Sequence, residues 1–209
     1  MRWLAGGIGI LAVAEMATAC QNFVTALMGV IVPPLFQSPY RSASVSEFWT
    51  KRWNLPASQL LRTYCFAPLA RRGVALALFA TFALSAVGHT LLAKLVLGPG
   101  KWRTAMACGA FFLAQPLLVA AERRLNVRRW RPAAGRAWTL TVLAITSPLV
   151  VETILQIVEK GWGASGDVLP PTAAVLGFVI VLSSIVSLAA LASPRDSSGR
   201  AWNFETPSR

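Results

Sequence analysis

Residues 73–93, GVALALFATFALSAVGHTLLA, contain no Asp, Glu, Lys or Arg. A helix needs about 20 mostly apolar residues to cross the hydrocarbon core of a bilayer, so this stretch is long enough for one crossing. Its length and composition predict a transmembrane helix, and that helix carries His89, the single histidine of the chain.

Four other stretches share this apolar character. They are residues 104–121 and 172–193, which also lack these charged types, residues 137–158, where Glu152 is the one acid, and the run from Trp3 to about Pro33, which includes Glu15. Charged residues make up 13% of the chain, against about 25% in soluble proteins. The sequence therefore predicts an all-α, polytopic transmembrane helical bundle of about five spans.

The first apolar run has two interpretations. Arg2, the apolar segment after it and Ala17-Thr18-Ala19 together resemble a cleavable signal peptide. The apolar character continues to Leu35, which favours an uncleaved span, either a tilted helix or one joined to an interfacial or re-entrant piece.

The basic residues lie in short loops between the apolar runs. This arrangement suits anionic lipid head groups and argues against nucleic-acid binding, despite the net charge of +12. Fifteen of the twenty Lys and Arg residues would share one side of the membrane with residues 34–72, and five would lie on the other. The bias predicts an outside or lumenal N-terminus and a cytoplasmic C-terminus. The tail, residues 194–209, is polar and aperiodic, which predicts disorder.

The segment SVSEFWTKRWN, residues 44–54, has the pattern of a short amphipathic helix. Ser44 and Glu47 form a capping-box pair. The residues expected on its apolar face are Val45, Phe48, Trp49 and Trp53. Pro56 favours a break, and a second stripe of Leu60, Leu61, Tyr64 and Cys65 follows it. We therefore expect two short amphipathic interfacial helices between spans 1 and 2.

Five residues are candidates for a chemical role, and each also has a plainer interpretation. His89 lies deep in a span, where an ionisable residue is a functional candidate by default, although it would also serve as a hydrogen-bond partner of another helix. Asn54 precedes Leu-Pro and suits the N-cap of the next helix. Lys51 and Arg52 are equally compatible with ordinary charges facing lipid head groups. Glu122, at a span end beside Arg123, is most simply a boundary residue.

Motifs of soluble enzymes are missing from the sequence. It has no GxSxG, Walker loop, HExxH or GxGxxG following a strand. A single histidine excludes multi-histidine metal sites, and Cys20, Cys65 and Cys108 have no metal-like spacing. We therefore expect no metal, and the residues alone indicate only a polytopic membrane protein with one buried histidine.

Four blocks in order resemble the wax synthase branch of the membrane-bound O-acyltransferase superfamily. They are Pro34-Leu35-Phe36 with Pro39, then Phe48-Trp49-Thr50-Lys51-Arg52-Trp53-Asn54 followed by Leu60-Leu61-Arg62, then Ser85 to His89, and finally Phe111-Phe112 with Ala120-Ala121-Glu122. The best-matching part is residues 34–122, within a domain of residues 1–193. The FWxxRWN block is similar to the FYxxWWN block of sterol and diacylglycerol acyltransferases.

The resemblance implies an activity and its site residues. It implies transfer of an acyl group from acyl-CoA, a co-substrate, to the hydroxyl of a lipophilic alcohol, with no other cofactor. His89 would be the general base and Asn54 its orienting or oxyanion-side partner. Apart from the resemblance, the chemistry of the side chains suggests substrate-binding candidates: Phe48, Trp49 and Trp53 to line the acyl-CoA passage, and Lys51, Arg52 and Arg62 to meet the CoA phosphates on the cytoplasmic side.

Two departures from the family pattern keep alternatives open. Family members have several spans before the PLF block where this chain has one, and Thr90 stands where plant-like members often carry Glu. The alternatives are acetylation of a terpenoid or sterol hydroxyl, and a truncated, non-catalytic membrane protein of the same fold. A transporter would require internal repeats, and none is evident. In a eukaryote, the resemblance implies the endoplasmic reticulum membrane.

Overall fold

A computed structural model describes residues 2–27 and 34–164. The helices are α1 (Arg2–Leu27), α2 (Val45–Glu47), α3 (Leu55–Leu61), α4 (Ala67–Ala70), α5 (Val74–Leu97), α6 (Trp102–Leu125), α7 (Pro132–Thr146) and α8 (Pro148–Ala164). Two π-helical turns, Phe48–Arg52 and Arg62–Phe66, and three 3-10 turns, Pro39–Arg41, Pro99–Lys101 and Val127–Arg129, join them. No strand occurs in the described part of the chain, as predicted.

Three of the described helices are long and apolar enough to cross a membrane: α1, α5 and α6. These helices identify the chain as an integral membrane protein, because each has the length and hydropathy needed to cross the hydrocarbon core. The predicted fifth span at residues 172–193 and the predicted disordered tail lie outside the described residues, as does the end of the first apolar run.

The single span predicted over residues 137–158 is wrong in one respect, because α7 and α8 meet at an angle of 56°. Pro148 has no N–H and its ring crowds the carbonyl four residues earlier, which bends a helix. The Ser147 hydroxyl donates to that freed carbonyl, at Ala144, over 2.9 Å. The carbonyl oxygen of Ala144 therefore keeps a hydrogen-bond partner at the bend. Together, α7 and α8 are long and apolar enough to form one span, broken at this bend.

Helices α5 and α6 form an antiparallel pair at the centre of the bundle. Gly109 of α6 allows the close approach, because a Cβ there would overlap the Thr90 hydroxyl and lie 3.4 Å from the carbonyl oxygen of Ala86. Gly88 has open space on its side of α5. The α5–α6 contact therefore places the face of α6 that carries Phe111 and Phe112 against α5.

Polar contacts join α8 to the other spans. Lys160 donates to the carbonyl oxygen of Val96 at the end of α5 over 2.7 Å. The Trp3 indole N–H donates to Glu152 over 3.1 Å, which connects α1 to α8. Glu152 also accepts a hydrogen bond from Gln156, so this acid serves helix packing.

Candidate active site

His89 lies about 22 Å along α5 from Val74, at 1.5 Å per residue. Its Nδ1 is 2.8 Å from the carbonyl oxygen of Ser85 and 3.4 Å from the Ser85 hydroxyl. A carbonyl oxygen only accepts, so the short contact requires the proton on Nδ1. The neutral imidazole then carries its lone pair on Nε2, which is the state a general base needs.

The imidazole is stacked on an aromatic ring of α6. The centroids of His89 and Phe112 are 3.9 Å apart, and the ring planes differ by 29°. Phe112 covers one face of the imidazole, while the residue as a whole remains exposed within the described part of the chain. One face of the His89 imidazole therefore packs against Phe112, and the rest of the side chain is accessible.

Trp49 connects the segment of residues 44–54 to this part of the bundle. Its ring lies 5.8 Å from Phe112 and 5.7 Å from Phe82, measured between centroids. Its indole N–H donates to Oε1 of Gln115 over 3.1 Å, and Gln115 is fully buried on α6. The segment therefore extends into the bundle to the level of Phe112, rather than lying only in a lipid interface as its amphipathic pattern suggested.

The start of α2 is capped from two directions. The Ser44 hydroxyl accepts from the Glu47 N–H over 2.9 Å, as the capping box predicts, while the Glu47 carboxylate bonds the Ala43 N–H. The second cap is Glu122 of α6, which accepts the N–H groups of Val45 and Ser46. Anionic groups are favourable at a helix N-terminus because unpaired backbone N–H groups point outward there.

Glu122 lies in the last turn of α6, as the sequence indicated, but it is more than a boundary residue. The carboxylate is 2% exposed and joins α6 to α2 across 77 residues of sequence. Sequence reasoning also missed Phe112 and Gln115 as contacts of the site. The polar Gln115 inside an apolar span was the available signal, because such residues usually face the bundle interior.

The PLF block and the FWxxRWN block are paired through their backbones. The Gln37 N–H donates to the Arg52 carbonyl, and the Leu55 N–H donates to the Leu35 carbonyl, each over 2.9 Å. The rings of Phe36 and Trp53 are in edge contact at 4.7 Å. The two blocks thus form one folded unit, with Leu35 1% exposed.

Arg52 holds that unit together. Its guanidinium bonds the Glu47 carboxylate at 2.6 and 2.7 Å and donates to the Gln37 carbonyl over 3.2 Å. The π turn over Phe48–Arg52 makes this pairing possible, because it places residues five apart on one side of the helix. Arg52 is therefore engaged within the protein, whereas Lys51 is exposed.

Asn54 has the local role that its position predicts. It has a left-handed backbone (φ 41°) and its Oδ1 accepts from the Ala57 N–H over 3.4 Å, as the N-cap of α3. The amide nitrogen Nδ2 has no partner among the described residues. No hydrogen bond joins Asn54 to His89: the side chain of Asn54 bonds Ala57, and that of His89 bonds Ser85 and stacks on Phe112.

The remaining predicted substrate-binding residues are Phe48, Trp53 and Arg62. Phe48 is 8% exposed and stacks on Trp53 at 5.3 Å, which confirms the predicted apolar face. In the second predicted apolar stripe (Leu60, Leu61, Tyr64 and Cys65), Tyr64 is 64% exposed, and Phe66 is buried instead. The π turn at Arg62–Phe66 accounts for this difference, because it shifts the helical register. Arg62 lies at the start of this turn.

The fold and site define a class: a polytopic helical membrane protein with one histidine in a span, beside an aromatic segment inserted from the preceding loop. Residues 32–114 match the membrane bound O-acyl transferase family. This part of the chain, about two fifths of its length, is therefore similar to that family.

The relatives come from Arabidopsis thaliana. Probable long-chain-alcohol O-fatty-acyltransferase 2 is 30% identical over 154 residues, which are 67% of this chain and 41% of the relative. Probable long-chain-alcohol O-fatty-acyltransferase 7 is 29% identical over 150 residues, covering 63% and 42%. Acyl-CoA–sterol O-acyltransferase 1 is 28% identical over 138 residues, covering 59% and 39%. The chain thus spans about two fifths of these relatives, and no solved structure matches it.

Proposed function

We propose that this protein transfers an acyl group from acyl-CoA to the hydroxyl of a lipophilic alcohol, with His89 as the general base. The observation that carries the proposal is the hydrogen bond from Nδ1 to the Ser85 carbonyl, which leaves Nε2 as a proton acceptor. Ser85 thus supplies the orienting acceptor that a carboxylate provides in many catalytic triads.

The chemistry needs one proton relay and one stabilised oxyanion. Nε2 of His89 takes the proton of the alcohol as its oxygen attacks the thioester carbonyl. A C–O bond forms, the C–S bond breaks, and the proton passes from the imidazolium to the departing CoA thiolate. The membrane setting supports transfer over hydrolysis, because it limits the access of water to the thioester.

Asn54 is the proposed donor to the developing oxyanion. Its Oδ1 is occupied by the cap of α3, so Nδ2 is the end of the side chain that remains available to donate. Because no hydrogen bond joins Asn54 to His89, the reacting thioester and the alcohol would have to bridge the two side chains.

Phe48, Trp49 and Trp53 are proposed to border the path of the acyl chain, since their rings contact one another and Trp49 contacts Phe112, the ring that stacks on His89. Lys51, Arg52 and Arg62 are proposed as CoA phosphate contacts. Among them the exposed Lys51 is the best placed, because Arg52 would have to exchange its bond with Glu47 for a phosphate.

The proposed acceptor is a long-chain alcohol, in line with the names of most of the relatives; a sterol is the second candidate, supported by one of them. We also propose an outside or lumenal N-terminus and a cytoplasmic acyl-CoA side, on the strength of the Lys and Arg distribution. In a eukaryotic cell the membrane would be the endoplasmic reticulum.

The test is ester formation in membranes that contain this chain, with labelled acyl-CoA and a panel of long-chain alcohols and sterols. His89→Ala should abolish the ester. The matched control is Gly88→Ala, since a Cβ at that neighbouring position meets nothing within 4 Å. Equal ester from the parent and His89→Ala would remove His89 as the base, and no ester from any variant would favour the non-catalytic alternative.

Asn54→Asp separates the two roles of that residue. Asp caps a helix as well as Asn and tolerates a left-handed backbone, so the protein should keep its thermal stability. Asp has no N–H to donate, and losing an oxyanion donor typically lowers kcat by about 10²–10³. Parent-like turnover in Asn54→Asp would show that Asn54 is only a cap.

A further inference from the structure

We propose that Phe112 is a positioning residue for His89: its ring fixes the imidazole plane and stabilises the positive charge that develops as Nε2 takes a proton. This inference rests on the proposed function for its catalytic part only. The geometric part concerns the folded protein and stands independently of turnover.

The Phe112 ring is itself held firmly. Phe112 is 6% exposed and belongs to a buried cluster with Ala86, Cys108 and Phe111. The Phe111 ring meets it edge-on at 5.2 Å and 84°, and Trp49 lies 5.8 Å away. A ring packed on several sides offers a fixed surface to its neighbour, because close-packed side chains have few alternative rotamers.

Two contacts then determine the orientation of the imidazole. The Nδ1–H bond to Ser85 fixes rotation about the side-chain bonds, and the stack at 3.9 Å fixes the ring plane. The lone pair of Nε2 lies in the plane of the ring, so holding that plane fixes the direction from which a hydroxyl donates to it. General-base catalysis depends on this alignment, since proton transfer requires a well-aligned heavy-atom approach of about 3 Å.

The stack also has an electrostatic effect that changes during the reaction. The face of an aromatic ring is electron-rich and attracts a cation placed over it. The neutral imidazole gains little from this attraction, whereas the imidazolium gains more, and the difference lowers the barrier to proton abstraction. No contact between His89 and a carboxylate occurs within residues 2–27 and 34–164. Thr90, next to His89, faces Gly109 on α6 instead.

The plainer interpretation is that Phe112 only fills the core. Phe111 provides the matched comparison, because it is 8% exposed, lies on the same helix, contacts Trp49 and makes no ring contact with His89. A core role would make Phe111→Leu and Phe112→Leu equally harmful. A positioning role would make Phe112→Leu alone affect the state of His89.

The first experiment is NMR of the detergent-solubilised protein labelled with ¹⁵N-histidine, in which every imidazole signal comes from His89. The parent should show the Nδ1–H tautomer and ring protons shifted by the current of the stacked phenyl ring. Phe112→Leu should lose that ring-current shift, and Phe111→Leu should keep it. A parent spectrum without the shift, or with the Nε2–H tautomer, would overturn the proposal whatever the activity.

The second experiment measures kcat and KM for the same variants with long-chain acyl-CoA and alcohol. Phe112→Leu should lower kcat about tenfold with KM within about twofold, as expected for a cation–π contact inside a membrane span. Phe112→Tyr should restore most of kcat because the ring face is retained. Equal kcat in Phe112→Leu and the parent, or no restoration by Tyr, would reject the catalytic part. If the parent and all variants are inactive, the proposed function is refuted, and the NMR result alone tests whether Phe112 orients the imidazole of His89.

Discussion

Removing the Glu122 carboxylate should destabilise the protein more than its place at a helix end suggests. The carboxylate accepts two backbone N–H groups, from Val45 and Ser46, and Val45 is fully buried. A hydrogen bond to a charged group contributes about 1.5–3 kcal/mol, so Glu122→Ala should cost about 3–5 kcal/mol. Glu122→Gln keeps one acceptor oxygen and should cost roughly half as much.

The assay is thermal unfolding of the purified protein in detergent. At roughly 2–4 °C per kcal/mol for a chain of this length, Glu122→Ala should lower the unfolding midpoint by about 10 °C, and Glu122→Gln by about 5 °C. Glu159→Gln is the matched control, because Glu159 is an exposed acid on α8. If Glu122→Ala unfolds within about 2 °C of this control, the cap does not stabilise α2 and the reasoning fails.

Two further substitutions test the packing around the site. Gly109→Ala should cost about 1–3 kcal/mol and separate α5 from α6, because its Cβ would overlap the Thr90 hydroxyl, whereas Gly88→Ala should be neutral or slightly stabilising; equal unfolding midpoints of the two variants would contradict this. Trp49→Phe should cost about 1–3 kcal/mol, since it leaves the buried Gln115 oxygen without its donor; a parent-like midpoint would show that this hydrogen bond contributes nothing to stability.

Much of the local structure could be predicted from the sequence. The spans at α5 and α6 follow from uninterrupted apolar runs, and the caps at Ser44 and Asn54 follow from side chains that bond backbone groups three residues away. Hydropathy and capping act over one helix or one turn, so the residues that decide them are neighbours in the chain. The membrane fold class and the position of His89 in a span were predictable for the same reason.

The bend at Pro148 and the two π turns were harder to predict from the sequence. A proline permits a kink, but the angle of 56° depends on how α7 and α8 pack against the rest of the bundle. The π turn at Phe48–Arg52 is accompanied by the Glu47–Arg52 ion pair and by backbone pairing with residues 35 and 37. These contacts changed the interpretation of Arg52 from a lipid-facing charge to an internal one.

The chemical state of the candidate site was decided by tertiary structure. The sequence by itself determined that one histidine lies in a span, that an Asn caps the helix after the FWxxRWN block, and that the chain crosses a membrane. The tertiary structure decided that Phe112 stacks on His89 and that Glu122 caps α2, contacts between residues 23 and 77 positions apart. Such contacts depend on how whole helices pack, and no local preference of either residue specifies its partner on another helix.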